Sequence, residues 1–313
     1  MKNAINNESG TALLVTLVVI VIMTVTVTEF MYATWVEASL AANFRDDARA
    51  VSIVGSAVTA AREVIKVSSS QEMNELINFF PEVPLVVEDT YAFVRIEDES
   101  GKLDMNLLDG DSYSEKRVEV FRRLLQQLGL DPDISNAVVD WIDSDGEVNG
   151  ARGAEDGYYI SLERPYPCKN AKLDSLEELK RIRGVTPEVY AKIKPFVTIR
   201  SDKKININTA PFRVILALHE NITKTMARDL INRRYSTLFV NKIDIKNVPG
   251  FDDTIYIGDN GISGIIDVTS ATFSITASVE LGEVSRTARA IYVSIGNGAK
   301  GKTAYFAIKG GLS

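Results

Sequence analysis

The sequence predicts an α+β fold: a long N-terminal helix, an antiparallel sheet, and a large all-α domain inserted into that sheet. Three observations predict it. An uncharged run opens the chain, and no proline interrupts it between Thr11 and about Val67. Strand-like segments occur at 83–99 and again after about 265. Between them, from about 105 to 265, the punctuation is helical.

The first element begins after a polar leader, Met1 to Gly10, that ends Glu8-Ser9-Gly10. The run TALLVTLVVIVIMTVTVT then fills Thr11 to Thr28 without a charge. At ~1.5 Å per residue it spans ~27 Å, close to the ~30 Å hydrocarbon core of a bilayer. A secretory signal should be shorter and followed by small residues. Here Glu29, Phe30, Met31, Tyr32 and Trp35 follow, and no cysteine lies near for lipid attachment. Two readings stay open. One is a permanent anchor; the other is a signal cut on the cytoplasmic side of the run, at Gly10/Thr11. Lys2 and the α-amino group inside, with Glu29, Glu37, Asp46 and Asp47 outside, give the orientation.

Beyond the run, Ala48, Val51, Val54, Val58, Ala61 and Ile65 recur at three- and four-residue steps. That is one apolar stripe of an amphipathic helix. A single helix therefore runs from the membrane into a soluble domain with no linker, and Gly55 is its one glycine.

Residues 83–99, VPLVVEDTYAFVRIEDE, are β-branched and aromatic and read as strand. VEVFRRLLQQLGL stops at Gly129, with Asp131-Pro132 following. ISNAVVDWI is a second short helix. DSLEELKRI opens with Asp174 or Ser175 as N-cap and Glu177 and Glu178 in its first turn. TPEVYAKIKPF has Thr186 as N-cap and Pro187 at the first helical position. TAPFRVILAL repeats that start with Thr209, Ala210 and Pro211, and NITKTMARDLINRR is another helix. ATFSITASVEL, a turn at Gly282-Glu283 and VSRTARAIYVSI form a β-hairpin, with AYFAIKG as a last strand. The expected divisions are a leader (1–10), a membrane segment (11–28), a first sheet-domain part (29–104), the insertion (105–265) and a second sheet-domain part (266–313).

Composition narrows the function. The chain has 313 residues, room for two soluble domains, and a net charge of −7. The pI of 5.1 argues against a nucleic-acid partner. One cysteine, Cys168, excludes an intrachain disulfide and Cys-rich zinc sites. The one histidine, His219 in ALHENIT, reads as a helix-surface or half-buried residue. No Ser/His/Asp set, phosphate-binding glycine loop or Cys/His pair stands out, so the chain reads as a non-enzyme.

LEELKRIRGVTPEVYAKIKPFVTI has the shape of a helix–hairpin–helix, and a vaguer echo ends at Pro249-Gly250. Such hairpins often bind DNA backbones. Here Thr186 stands where a second glycine is expected, and Glu177, Glu178 and Glu188 interleave with Lys180, Arg181, Arg183, Lys192 and Lys194. The basic stripe of a DNA binder is missing. A membrane-anchored DNA-uptake protein remains the rival reading.

The strongest chemical constellation is DWIDSDGEVNG followed by GAEDGYY. Asp143 and Asp145 place two carboxylates within reach of one cation, and Glu155 and Asp156 return two more from the far side of the loop. Hard oxygen ligands suit Ca²⁺, although the spacing is not that of an EF-hand. A solvated polar loop held by Asx turns and a pair of catalytic acids are the alternatives.

The combination of ESG-TALLV, the linkerless helix, WIDSDGE…GAEDGYY, LDSLEELKRIRGVTPEVYAKIKPFVT and ININTAP closely resembles the type II secretion minor pseudopilin K family, from Glu8 to about Ile295. The resemblance implies a pilin-like α/β domain with a SAM-like, helix–hairpin–helix insertion. It implies prepilin-peptidase cleavage between Gly10 and Thr11, inner-membrane residence and a periplasmic place at the pseudopilus tip with minor pseudopilins I and J as partners. It also implies Ca²⁺ in the inserted domain, for which the loop acids Asp143, Asp145, Glu155 and Asp156 are the first candidate ligands and Asp140 and Glu147 the second. Most pilins begin with Phe and carry Glu at the fifth mature position; here these are Thr11 and Val15. A bilayer carboxylate costs about 2.5–3.5 kcal/mol unless partnered. A tip subunit has no subunit ahead to partner it, so Val15 fits a subunit that enters first. The assembly helix is thus marked by Val15 and Glu29.

Overall fold

The computed structural model describes residues 8–258, 260–295 and 300–312. Most of the expected leader, Met1 to Asn7 with Lys2, lies outside the described residues. Helix α1 spans Glu8–Val67, which is ~90 Å at the helical rise. Its apolar window has a mean hydropathy of 2.6 and none of it is buried. It is long and apolar enough to cross a membrane. The threonines in that window do not leave bare hydroxyls. Thr24, Thr26 and Thr28 each donate to the carbonyl four residues back, at 2.8 Å, so each side chain is satisfied without water.

The upper part of α1 lies on the sheet. Its buried stripe is Ala50, Ile53, Val54, Ala57, Val58, Ala61 and Ile65. This corrects the expected phase. Ala48 and Val51 are exposed, because at 100° per residue Val51 sits on the flank of the row that Ala50 and Ile53 begin and Ala48 on its far side. Helix α2 (Ser70–Phe79) follows, started by a Ser69/Glu72 capping box.

The stretch expected as one strand is a hairpin, β1 (Val83–Val87) and β2 (Thr90–Asp98). The chain reverses at Glu88, whose φ is +58°, and Arg49 of α1 pairs with both turn carboxylates, Glu88 and Asp89. Of the later strands, β7 (Thr272–Leu281), β8 (Val284–Ile295) and β9 (Lys300–Leu312) complete an antiparallel sheet in the order β1-β2-β7-β8-β9.

The insertion leaves the sheet at Asp98 and returns at Thr272, wider than the expected 105–265. The cause is the neck: β3 (Leu103–Asp104) pairs in parallel with β4 (Val197–Thr198), and β5 (Ile205–Asn206) with β6 (Ile266–Asp267). These short pairs belong to the insertion and lie close to its two ends. Both crossings lie at the sheet end opposite the Arg49-bound turn. The insertion therefore caps the end of the molecule far from the apolar window.

Its helices are α3 (Ser114–Gln127), α4 (Ile134–Ile142), α5 (Asp156–Tyr159), α6 (Pro187–Ile193), α7 (Phe212–Ala217), α8 (Lys224–Ser236) and α9 (Asp253–Tyr256). Two cores result. One fills the insertion around Phe121, Leu124, Trp141 and Leu179; the other joins α1 to the sheet. Asp98 fastens them together. It accepts hydrogen bonds from Ser100 N–H, Asn206 Nδ2, Thr209 Oγ1 and Ser270 Oγ. Thr209 is thus drawn into the neck and does not cap α7, where Pro211 holds the N-cap position.

The vague second hairpin is a structural repeat of the first. Leu176–Arg181 and Lys242–Asn247 are both 3₁₀ turns opened by capping boxes, Ser175/Glu178 and Asn241/Asp244. Gly184 (φ +84°) and Gly250 (φ +89°) turn the chain in each. Thr186 then caps α6, and Asp252 caps α9.

Candidate functional site

The acid loop starts where α4 stops. Helix α4 buries Trp141 and Ile142, and Trp141 meets the Tyr159 ring edge-to-face at 5.0 Å. This aromatic floor fixes both ends of the loop, because Tyr159 belongs to α5 on the far side. Asp140, fully buried, organises the loop from below. Its carboxylate accepts from Asn149 N–H at 3.1 Å, Asn149 Nδ2 at 2.8 Å and Ala154 N–H at 2.6 Å. Gly153 has no room for a side chain: a Cβ there would lie 2.5 Å from Asp140 Oδ2. Arg183 of the first hairpin clamps the loop by donating to Gly153 O at 3.1 Å and lying over the Tyr158 ring.

With the loop folded this way, ligand atoms of Asp143, Asp145 and Glu155 all lie within 4.8 Å of one another. Asp143 and Glu155 are each only 6% exposed, while Asp145 is open to solvent. Asp143 Oδ1 and both Glu155 oxygens are buried without a hydrogen-bond partner. Burial, then the neighbouring Asp145 and Glu155 charges, push the Asp143 carboxyl up to about 7. Burial raises the Glu155 carboxyl as well, with the Asp140 and Asp145 charges adding to it and the nearby Cys168 and Asn170 side chains acting against it. Buried oxygens without donors, beside like charges, are costly unless a cation or proton joins them. A donor set of carboxylate oxygens is the chemistry of a hard divalent cation.

The other expected residues fall elsewhere. Asp156 lies outside the group of three, and its Oδ1 accepts from Cys168 N–H at 2.7 Å. Glu147 is exposed and its N–H donates to Asp145 Oδ1 at 2.8 Å. Two asparagines escaped sequence reading. Asn149 bridges Asp140 and Asp143, and Asn170 donates to the Asp145 carbonyl at 2.7 Å. Neither has a motif spacing that could have marked it. Cys168 is buried against the Asp140 and Ala154 carbonyls, and that burial pushes its thiol up to about 12.

Gly10, Thr11, Val15 and Glu29 lie along α1, and Gly10, Val15 and Glu29 are exposed. Two lysines around the first hairpin are engaged locally: Lys180 with Glu177 at 2.5 Å, and Lys169 with Glu178 at 2.6 Å and Asp174 at 2.8 Å.

A long membrane-length helix laid on an antiparallel sheet, with a helical insertion at the far end, defines a pilin-like class of protein. Residues 101–202 and 205–263 match the two family models of type II secretion system protein K. Together they span about half of the chain, which belongs to the type II secretion system protein K family. The Aeromonas hydrophila protein K is 31% identical over 187 residues, 56% of this chain and 55% of that one. The Pseudomonas aeruginosa protein K is 33% identical over 172 residues, 52% and 51% of the two chains. The alignments thus span about half the length of these relatives. A chain of the GspK–GspI–GspJ complex from enterotoxigenic Escherichia coli has the same fold. Its TM-score is 0.64 at 18% identity, covering 93% of this chain and 100% of that one.

Proposed function

We propose that this chain is a minor pseudopilin that starts and caps the type II secretion pseudopilus together with minor pseudopilins I and J. The observation that carries the reading is α1. Its membrane-length window is wholly unburied, and an apolar stripe continues above it through Ala33, Leu40, Phe44, Ala48 and Val51, all exposed. That stripe lies roughly 100° around the helix from the sheet-facing one. Such a face matches helices of other subunits, and the structural relative crystallised with I and J supports those partners. The insertion on the far end agrees with a tip position, since it would obstruct a subunit stacked above.

In this reading the chain sits in the inner membrane with its N-terminus cytoplasmic, prepilin peptidase cuts between Gly10 and Thr11, and Thr11 is the N-methylation point. Val15 lets the subunit enter first. Asp143, Asp145 and Glu155 hold Ca²⁺, with Asp140 and Asn149 setting their geometry. Asp156 tethers the 168 segment beside them. The ion neutralises the cluster and ties the end of α4 to α5.

The test is Phe44→Glu in a secreting host. The reading expects normal protein levels and a loss of exoprotein export. Export at the parent level would contradict it.

A further inference from the structure

The five-stranded sheet ends in two unlike edges. One is β1, five residues long, with Pro84 in it and the Arg49-bound turn at its end. Proline removes a ladder donor and a short strand offers little to pair with, so this edge is blunted. The other is β9, thirteen residues without a proline. Among the described residues no strand pairs with its outer side. Alternate N–H and C=O groups of such a strand point away from its neighbour and form a template for another chain.

The two faces of the β9 edge differ in chemistry. Phe306 and Ile308 stand opposite Ala290 and Ala288, which belong to the core under α1. Ile308 packs on that core, yet Phe306 is 50% exposed. By alternation Tyr305, Ala307 and Lys309 occupy the outer face. The irregularity at Ile291/Tyr292 brings Lys302 there as well, because Thr303 takes the place opposite the core residue Tyr292. Arg289 lies opposite Ala307, and Arg95 continues the row through Thr276. Lys302, Lys309, Arg289 and Arg95 are all exposed, and Arg95 meets Glu82 at 3.7 Å. The acids of that face, Glu280 and Glu97, sit on β7 and β2, away from the edge, and Glu97 is bound to Lys102. A chain with a net charge of −7 thus turns a basic face outward beside its one open edge.

We propose that β9 accepts an extended segment of another protein as an added strand, and that this segment alternates acidic and apolar side chains. Main-chain hydrogen bonds supply the attachment and the side-chain alternation supplies the selection. Carboxylates of the added strand meet Lys302 and Lys309 on the outer face, and its apolar residues cover Phe306 on the other. A second copy of this chain is a poor occupant. It brings the same lysines, and like charges opposed across strands are destabilising.

The test uses the detergent-solubilised full chain and labelled synthetic peptides, read by fluorescence anisotropy and by hydrogen exchange. The peptides are alternating Glu/Val, alternating Lys/Val, and a Glu/Val peptide N-methylated at residues on both of its edges. The proteins are the parent and the double variant Lys302→Glu/Lys309→Glu, each melted to confirm that it is folded. The parent is expected to bind the Glu/Val peptide saturably, with exchange slowed in β9 and not in β1. The double variant is expected to bind it about tenfold more weakly or worse and to prefer the Lys/Val peptide. The N-methylated peptide, which keeps its charges but lacks the donors, is expected not to bind. Absence of Glu/Val binding by the parent, unchanged β9 exchange with peptide bound, or equal binding of the N-methylated peptide overturns strand addition. Equal Glu/Val binding by parent and double variant overturns the selection for acidic segments. A parent that dimerises with β9 protected makes a second copy the occupant and overturns the proposal.

Discussion

Asp140 Oδ2 accepts a hydrogen bond from Ala154 N–H at 2.6 Å, across a fourteen-residue separation. This single contact closes the acid loop, because Asn149 is held by the same carboxylate. Asp140→Ala leaves buried N–H groups without an acceptor, each worth about 1–3 kcal/mol. The expected outcome is a loss of about 2–4 kcal/mol in denaturant unfolding. Gly153→Ala should behave similarly, since its Cβ meets both Asp140 and the Asn149 backbone.

Asp143 carries the opposite expectation. Its carboxyl is buried with like charges and no donor on Oδ1. In metal-free buffer, Asp143→Asn should melt a few degrees above the parent, because one charge leaves the cluster. With Ca²⁺ at 100 times its Kd the parent should gain about 2.7 kcal/mol, and Asp143→Asn little. Thermal melts with and without a chelator check both halves. A parent indifferent to chelator, with no metal by mass spectrometry, removes the site.

His219 gives a pH dependence. It is buried just past α7, where its Nδ1 accepts from Asn221 N–H. Burial, then the Arg123 guanidinium, hold its pKa below the ordinary 6.5, and Lys116 acts the same way while Glu220 and Asp252 oppose. As pH falls through about 6.5 the unfolded chain takes up a proton that the folded chain refuses. This contribution to stability is complete above that pH and shrinks below it, by at most about 1.4 kcal/mol per pH unit. His219→Gln should flatten the difference in melting temperature between pH 7.5 and pH 5.5 relative to the parent.

Much of the fold was legible because local signals and burial agreed. ISNAVVDWI is α4 to the residue, and Thr186-Pro187 starts α6 as its capping chemistry demands. The failures are places where tertiary contacts overrode local ones. Thr209 looks like a cap, but the buried Asp98 carboxylate takes its hydroxyl. Glu88-Asp89 carries no glycine to announce a turn; Arg49, far off in sequence, neutralises it. The acid pair at Asp143 and Asp145 was readable from spacing. Asn170 was not, because only the folded chain brings it to them.

The second apolar stripe of α1 gives a prediction separable from folding. Phe44 is 74% exposed, so Phe44→Glu should shift the melting temperature of the soluble part by less than about 2 °C. Val15→Glu should likewise leave the fold intact. On the proposed reading it places a carboxylate in the bilayer without a partner, at a cost of about 2.5–3.5 kcal/mol. Impaired tip formation with normal membrane insertion is the expected phenotype, read by crosslinking to the minor pseudopilins.

The account stands most directly on assembly. The full chain is co-expressed with minor pseudopilins I and J, extracted in detergent and purified through a tag on this chain alone. The account predicts that both partners elute with it as one complex, and that Phe44→Glu releases them while remaining folded. A folded, membrane-inserted chain that elutes without either partner would contradict it.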